Sequence, residues 1–464
     1  MKTASRVFAA ALTAIASVAG AQSLPPVRPI GPVLASTTEP FAAVSQVRAL
    51  PGGRVILHDN AGRRVVMLDS SFKNVTVIAD TTGATGNAYG SRLGGLIAYR
   101  GDSTLFVDPQ SISMLVIDQN GRIVRTMAAP LPNEVQALIG GPNGTPGFDP
   151  MGRLVYRAQV RFTANTSKAA GPGPQMPTFP ESSYVVRVDL KTRKVDTAAV
   201  FRVPKISMNM TRDDNTGRVT MTNTVNPMPW TDDWALLSDG TLAVVRGQDY
   251  RVDLVGLDGK VLAGSKMAFD WQRMNDDDKN ALIDSVRTVM EKQRAAQIAA
   301  SAAPAGSDPA SKASTEASSA TGRQRPVGDG GGNMTIVMAG GGGGDGGGRG
   351  GPGGPVGFTL PPLSFVSPQD MPDYRPAFRQ GASRGDADGN LWIRTSKMVN
   401  GGAVYDVVNN KGELKDRVSV PAGRIIAGFG PGGVVYMGVV DSNNITHLER
   451  ARLTPAVAGS ANNK

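Results

Sequence analysis

Short apolar runs alternate with turn sequences along most of the chain, and the stretch Arg48–Lys73 shows the pattern. The runs in VRAL and RVIL flank a turn at Pro51–Gly53, and those in RRVVMLD and NVTVIA flank a second turn at Ser70–Phe72. Glycine favours hairpin turns because it tolerates the positive φ angles that these turns require. The pattern therefore predicts a unit of four short antiparallel strands.

The same unit recurs, and the chain contains six copies of its first turn. The later copies of this turn lie in YRGDSTLFV, FDPMGRLVY, LLSDGTLAVV, GDADGNLWIR and FGPGGVVYMG. A second hairpin follows in SMLVIDQNGRIVRTM, SYVVRVDLKTRKVDTAAV, RVDLVGLDGKVLAGS and AVYDVVNNKGELKDRVSVP. The first three copies are spaced by about fifty residues, and a four-stranded unit at this spacing is typical of a β-propeller blade.

The sixth copy is incomplete, because only ITHLERARL and a polar tail follow VVYMGVVDSNN. A ring of blades must not leave a sheet edge open, since an open edge invites aggregation. The segment from Gly31 to Val44 precedes the first blade and contains apolar stretches of strand length. We therefore expect this segment to supply the missing strand of blade six and to close the ring.

This repeat pattern resembles the six-bladed propellers of the NHL and TolB-like type, especially exported six-bladed β-propeller proteins of bacteria. The resemblance also rests on WALLSDGTLAVVRGQDYRVDLVGLDGKV and DADGNLWIRTSKMVNGGAVYDVVNNKGEL. It covers about Phe41 to Leu453, apart from one insertion. It implies an all-β, six-bladed propeller closed by an N-terminal strand, and it implies no particular activity because propellers host many functions.

The insertion lies between blades four and five and has a different composition. Asn275 is a predicted N-cap, and three aspartates follow it in the first turn, where carboxylates favour the helix dipole. Apolar and long side chains then share one face of a predicted amphipathic helix at 276–300, namely Leu282, Val286, Val289, Met290 and Gln293. This helix is either a lid or partner-binding element, or a surface helix packed on the propeller flank. The second alternative is favoured, since any docked helix shows a single apolar stripe.

Residues 301–357 follow the helix and are first Ala/Ser/Pro-rich and then Gly-rich. Such a composition buries too little apolar surface to offset its chain entropy, so disorder is expected. The predicted organisation is a signal peptide at 1–21, an N-terminal segment with the closing strand at 22–45, and blades one to four at 46–270. The insertion occupies 271–374, blades five and six occupy 375–454, and a polar tail occupies 455–464.

The N-terminal sequence MKTASRVFAAALTAIASVAGAQS predicts export. It combines a basic start, an apolar core and a small-residue cleavage site, which places the cut between Ala21 and Gln22. A buried helix is the alternative, but the Pro-rich sequence that follows disfavours it. The chain has no cysteine, so a sizeable core rather than disulfides must stabilise it. We expect a periplasmic or secreted protein without a membrane span, and a monomer.

The net charge of +10 favours weak attraction to anionic envelope surfaces. Nucleic acid is not an expected partner, because no dense Lys/Arg cluster is interleaved with aromatic residues. Export also separates the protein from nucleic acid.

Little in the sequence indicates catalysis or metal binding. The chain has two histidines, His58 and His447, whereas a zinc site needs three or four ligands. GDADGN at Gly385–Asn390 resembles a calcium loop but lacks its spacing, so a hairpin turn is favoured. No catalytic residue, metal ligand or cofactor is therefore predicted, although calcium in the central channel is left open.

Five polar or aromatic residues are candidates for ligand binding, since aromatic and Arg side chains are favoured at recognition surfaces. They are Trp234, Asp249, Tyr250, Arg251 and Trp392. The alternative is that the tryptophans and Tyr250 pack between blades. The expected function is a non-catalytic exported scaffold that binds a protein, peptide or glycan. A metal-dependent propeller hydrolase, lactonase or lyase is the alternative, which the scarcity of histidine disfavours.

Overall fold

The computed structural model describes residues 24–83, 86–90, 93–159, 180–205, 207–212, 219–302 and 363–454. The predicted signal peptide and its cleavage site at Ala21 and Gln22, nearly all of the predicted disordered linker, and the C-terminal tail lie outside these ranges. Six sheets of four or five strands form the blades of a propeller, which confirms the predicted fold class.

The strands follow the predicted order along the chain. Two N-terminal strands, β1 (Val27–Pro29) and β2 (Val33–Ser36), join the last two blades. Blade one contains β3 (Gln46–Ala49), β4 (Val55–Asp59), β5 (Arg64–Leu68) and β6 (Val75–Asp80). Blade two contains β7 (Gly95–Ala98), β8 (Thr104–Asp108), β9 (Ser113–Ile117) and β10 (Ile123–Ala128). Blade three contains β11 (Gly147–Phe148), β12 (Leu154–Arg157), β13 (Ser182–Val188) and β14 (Val195–Arg202).

A hairpin of β15 (Ser207–Arg212) and β16 (Val219–Val225) separates blades three and four. Blade four contains β17 (Asp233–Leu236), β18 (Leu242–Arg246), β19 (Arg251–Val255) and β20 (Val261–Ala263). Helix α1 (Asp276–Ala302) and β21 (Ser364–Phe365) follow, and β21 pairs in parallel with β16. Blade five contains β22 (Phe378–Gly385), β23 (Leu391–Val399), β24 (Gly402–Val408) and β25 (Leu414–Ser419). Blade six contains β26 (Arg424–Gly430), β27 (Val434–Val440) and β28 (Thr446–Arg452).

The N-terminal segment closes the ring as predicted. Strand β2 pairs antiparallel with β28 and forms the outer edge of blade six, with Val33 opposite Ala451. Strand β1 was not predicted from the sequence pattern. It pairs in parallel with β25 and forms a fifth strand of blade five. An ion pair between Arg28 and Asp416 fixes this contact. Both C-terminal blades are therefore covered by residues that precede blade one.

The hydrophobic core is a ring of six clusters, one between each pair of adjacent blades. Ile56 and Phe106 meet between blades one and two, and Leu57 and Tyr436 meet between blades one and six. Both faces of each blade are thus buried against a neighbour. The first strands of neighbouring blades contact one another, for example β3 with β7 and β17 with β22, so they are the inner strands around the axis.

The two faces of the ring carry different connections. The strands alternate in direction, so the links within the first and second hairpins of each blade share one face, and all other links share the opposite face. On the first, which we call the turn face, even the longest links are short turns such as 69–74 and 189–194. On the opposite one, the loop face, lie the strand ends that flank the connections 81–94, 129–146, 158–181, 203–232 and 264–377.

Helix α1 begins at the residue that the sequence predicts. Its first turns pack on residues of the connections that precede and follow blade four. The Asn275 Oδ1 accepts the Asp278 N–H at 2.8 Å, and Asp278 Oδ2 accepts the Asn275 N–H at 3.0 Å, a reciprocal cap. Ile283 packs in a cluster with Met228, Met274 and Met371. Helix α1 is therefore docked, but its described contacts are with connections between blades rather than with the flank of a blade. Within the described ranges, no helix has the length and apolarity needed to span a membrane.

Candidate ligand face and channel mouth

A segment of the loop face, residues 129–146, lies across the start of the inner strands, and we call it the plug segment. Gln46 Nε2 on blade one donates to the Ile139 carbonyl at 2.7 Å. Trp234 Nε1 on blade four donates to the Asn143 carbonyl at 3.0 Å, and Gln380 Nε2 on blade five donates to the Pro142 carbonyl at 3.2 Å. The plug segment therefore links blades on opposite sides of the channel mouth.

Two glycines allow the plug segment to approach the blades closely. A Cβ on Gly144, whose φ is +90°, would lie 2.6 Å from the Trp234 indole. A Cβ on Gly381 in β22, whose φ is +78°, would lie 2.9 Å from Pro142 Cα. Both positions require the left-handed backbone that glycine adopts without strain. The plug segment is thus held by close backbone packing at these glycines as well as by hydrogen bonds.

Asp233 is a buried carboxyl group at the start of inner strand β17, beneath the plug segment. Its side chain is 1% exposed, and its Oδ2 accepts the Ser383 N–H of blade five at 2.8 Å. Burial raises the pKa of Asp233 to about 6, against the opposing effect of backbone N–H donors from Ser383, Trp234 and Gly381. The carboxyl group therefore changes its charge near neutral pH.

Arg157, the last residue of β12, faces this carboxyl group from blade three. Burial lowers the pKa of Arg157, and the charge of Asp233 partly offsets that effect. The Arg157 Nε donates to Ser183 Oγ at 3.2 Å, and its guanidinium lies over the Phe201 ring. Blades three and four thus bring a buried carboxyl group and a buried guanidinium close enough to interact electrostatically near the channel mouth, a grouping typical of functional sites.

The two tryptophans that were candidates for ligand binding lie inside the protein. Trp234 and Trp392 are each 1% exposed. Trp392 Nε1 donates to Asp386 Oδ2 at 2.9 Å. The same Asp386 carboxylate accepts the backbone N–H groups of Asp388 and Asn390, so GDADGN forms the favoured hairpin turn. Both tryptophans pack between blades, which was the alternative to ligand binding.

Tyr250 is fully buried, and its hydroxyl donates to Asp406 Oδ2 of blade five. Arg417 Nε donates to the other carboxylate oxygen of Asp406 at 3.3 Å. Burial raises the pKa of Tyr250, and the negative charge of Asp406 raises it further. We call this Tyr250–Asp406 contact the latch, because it joins blades four and five.

Asp249 and Arg251 flank Tyr250 but point outwards on the loop face. They form a partly exposed ion pair, with Arg251 Nη1 at 2.6 Å from Asp249 Oδ2. Arg251 Nε also donates to Asp253 Oδ1 at 3.1 Å. Their ligand-binding role stays a prediction, and of the five candidates these two are accessible to a ligand.

The two histidines have separate partners. His58 lies 5.0 Å from the Phe106 ring, and burial lowers its pKa to about 4, so it is neutral at neutral pH. His447 Nδ1 contacts the Thr37 carbonyl at 3.0 Å. Among the residues with described positions, no three His, Cys, Asp or Glu side chains form a group that could hold a metal ion.

A half-buried aromatic group on the loop face was missed by the sequence reasoning. It consists of Trp230, Phe269 and Trp271, and we call it the aromatic platform. The Trp230 and Trp271 rings lie 6.2 Å apart, and those of Phe269 and Trp271 lie 5.2 Å apart. The signal was available in PW at Pro229–Trp230 and in AFDW at Ala268–Trp271, where aromatic residues lie in connections rather than in strands.

The geometry defines a six-bladed β-propeller with a plugged channel mouth and an elaborated loop face. No family model matches the chain. No curated protein matches it either.

Solved structures with a similar fold include a calcium-binding protein, regucalcin, from Agrobacterium tumefaciens. It has 11% identity, a TM-score of 0.36, and coverage of 92% of this chain and 97% of that one. A gluconolactonase from Xanthomonas campestris has 10% identity, a TM-score of 0.36, and coverage of 92% and 99%. A PQQ-bound aldose sugar dehydrogenase from Streptomyces coelicolor has 12% identity, a TM-score of 0.35, and coverage of 92% and 99%. The latter two are enzymes, but similarity this low transfers no activity to this chain.

Proposed function

We propose that the protein is a ligand-binding propeller of the cell envelope, which engages a protein, peptide or glycan through its loop face. One observation carries this proposal, namely that the long connections begin and end at strand ends on this face, while the described links on the opposite face are short turns. Connecting loops on a rigid scaffold are where binding residues concentrate. The envelope location rests on the signal peptide that the sequence predicts at residues 1–21.

The plug segment supports a ligand on the surface of the loop face rather than deep in the channel. It bonds to blades one, four and five at the mouth. A ligand arriving from this side meets the plug segment and the surrounding loops first. The exposed pair Asp249 and Arg251 lies on the same face, and we propose that it contributes to recognition.

The experiment exploits the absence of cysteine in the chain. Asp249→Cys on the loop face and Lys260→Cys on the turn face lie in the same blade, and each is modified with maleimide–polyethylene glycol. We expect the loop-face polymer to abolish retention of the mature protein by immobilised envelope fractions, while the turn-face polymer leaves retention unchanged. Equal retention of both conjugates would contradict the proposal.

A catalytic function is a second candidate, and the buried carboxyl of Asp233 is the observation that favours it. A group whose pKa is about 6 can give or take a proton near neutral pH. Hydrolysis, lactone opening and elimination all involve a proton transfer that such a group can perform. An Asp233→Asn variant that abolishes turnover of a lactone or ester panel, while the fold is retained, would establish this function.

Metal dependence is a separate part of that second candidate. The described residues do not offer a ligand set, and Asp233 already accepts backbone N–H donors, so we assign no step to a metal. Whether calcium binds in the channel is a question that the sequence left open. Elemental analysis of the purified mature protein, before and after chelation, tests it directly.

A further inference from the structure

We propose that the aromatic platform is a carbohydrate-binding subsite, so that the ligand of the loop face is a glycan. This inference rests on the proposed loop-face function and names its ligand class. The platform combines rings from two connections, with Trp230 from the link between blades three and four, and Phe269 and Trp271 from the link between blades four and five.

Buried aromatic residues hold the platform from below. Tyr250 lies 5.1 Å from Phe269 and 6.5 Å from Trp271, measured between ring centroids. Phe378 lies 6.1 Å from Tyr250. Tyr250 is itself fixed by the latch to Asp406. The rings of the platform are therefore preorganised, which lowers the entropy cost of binding.

The two tryptophans of the platform differ from the other two in the chain. Trp234 and Trp392 are buried, and each indole N–H donates to a protein oxygen. Trp230 and Trp271 are half-buried, and neither indole N–H has a hydrogen-bond acceptor among the residues whose positions are described. A half-exposed indole offers both a ring face and a hydrogen-bond donor to a ligand.

The polar groups beside the platform suit a neutral, hydroxyl-rich ligand. Asp270 lies between the two platform residues Phe269 and Trp271, and its carboxylate pairs with Lys397 Nζ of blade five, with side-chain exposures of 67% and 30%. The pair supplies both acceptors and donors but no net charge. Exposed Gln272 adds an amide next in sequence.

A pyranose matches this arrangement because its C–H face is weakly positive and its rim carries hydroxyl groups. Aromatic faces are electron-rich and attract positively polarised edges. An anionic headgroup or a strongly acidic peptide would instead need an excess of cationic groups. The cations beside the platform have carboxylates near them, Asp270 for Lys397 and Asp373 for Arg273. Tyr374, 45% exposed and bridged to Arg273, lies on the neighbouring segment and could extend the surface for further sugar units.

The test measures binding of defined saccharides to the mature protein. The probes are the tetramer of N-acetylglucosamine, cellohexaose and maltohexaose by calorimetry, and purified bacterial peptidoglycan sacculi by co-sedimentation. The variants are Trp230→Ala, which removes the ring, and Trp230→Phe, which keeps a ring without the N–H. Tyr184→Ala, which removes a 47% exposed ring on the flank of blade three, is the matched control.

We expect at least one probe to bind, with an affinity reduced about tenfold by Trp230→Ala and about threefold or less by Trp230→Phe. Tyr184→Ala should bind as the wild type does. Trp emission should shift to shorter wavelength on binding in the wild type and in the control. Unfolding midpoints in urea show that each variant is folded.

Two results would overturn the inference. The first is equal saccharide binding by wild type and Trp230→Ala. The second is the absence of binding to every probe at millimolar concentration. If the loop-face polymer still abolishes envelope retention in that case, the glycan assignment fails and the loop-face function stands. If that polymer also has no effect, both fail.

Discussion

Replacement of Asp233 by asparagine tests the electrostatics of the channel mouth. The side chain is 1% exposed, and the Ser383 N–H at 2.8 Å is one of its donors. Asparagine has nearly the same shape but no charge at any pH. Its amide oxygen can take the place of Oδ2 and keep the Ser383 bond, whereas its NH₂ group cannot accept a second donor.

The size of the effect follows from the pKa. The pKa of Asp233 rises from 3.8 to about 6 in the folded protein, and a shift of about two units corresponds to about 3 kcal/mol. The folded state holds the proton more tightly than the unfolded chain. The contribution of this group to stability is therefore greatest below pH 4, falls as the pH rises towards 6, and is fully lost above that.

Urea unfolding at pH 4.5 and pH 7.5 measures this dependence for the wild type and for Asp233→Asn. The free energy of unfolding of the variant should be lower by about 1 kcal/mol at both pH values, because one N–H donor then faces the NH₂ group. At pH 7.5 the variant also buries no charge, whereas the wild type does, and this difference favours the variant. We therefore expect the variant to gain about 2 kcal/mol relative to the wild type between the two pH values.

Trp234→Phe is the control, because it changes the neighbouring residue without changing any charge. This change removes the indole N–H that donates to Asn143, so it should lower stability by a similar amount at both pH values. Parallel pH profiles for the wild type and Asp233→Asn would refute the reasoning, because they would show that Asp233 carries no raised pKa.

Three further changes have expected outcomes. Tyr250→Phe should lower the free energy of unfolding in urea by about 2 kcal/mol, since it leaves the buried Asp406 carboxylate without one donor. An unchanged urea midpoint would show that the latch does not stabilise the protein. Gly144→Ala should destabilise the protein by more than 2 kcal/mol through clash and strain, whereas Gly52→Ala, also at positive φ but with open space around it, should cost about 1 kcal/mol. Deletion of residues 301–355 should leave the melting temperature nearly unchanged, and a large drop would show that this segment stabilises the fold.

The ring was predictable because its signals are local and repeated. Turn residues such as Gly52 and Asp386 set hairpins from within a few residues, and the same chemistry recurs in every blade. Ring closure was predictable for a different reason, since a missing strand in the last copy must be supplied from elsewhere. Strand β1 had no such signal, because blade five is complete without it.

The candidate site was harder to predict because both faces of each blade are covered by neighbours. An aromatic residue in a strand then carries no sign of whether it faces a ligand or the next blade. Trp234 and Trp392 illustrate this, since both lie in strands and both are buried. Asp233 is the first residue of such a strand and looks in the sequence like any turn aspartate. Its burial depends on the plug segment and on β22, which are distant in sequence.

Tyr250 connects the ring of blades with the aromatic platform. The sequence suggested it as a ligand-binding residue, whereas the structure buries it between the latch and the aromatic platform. In that position it can influence binding without touching a ligand, by fixing Phe269 and Trp271 above it. Tyr250→Phe keeps the ring and removes only the latch. If it weakens saccharide binding as well as stability, the platform depends on the contact between blades four and five, and the loop face and the ring are coupled through this one side chain.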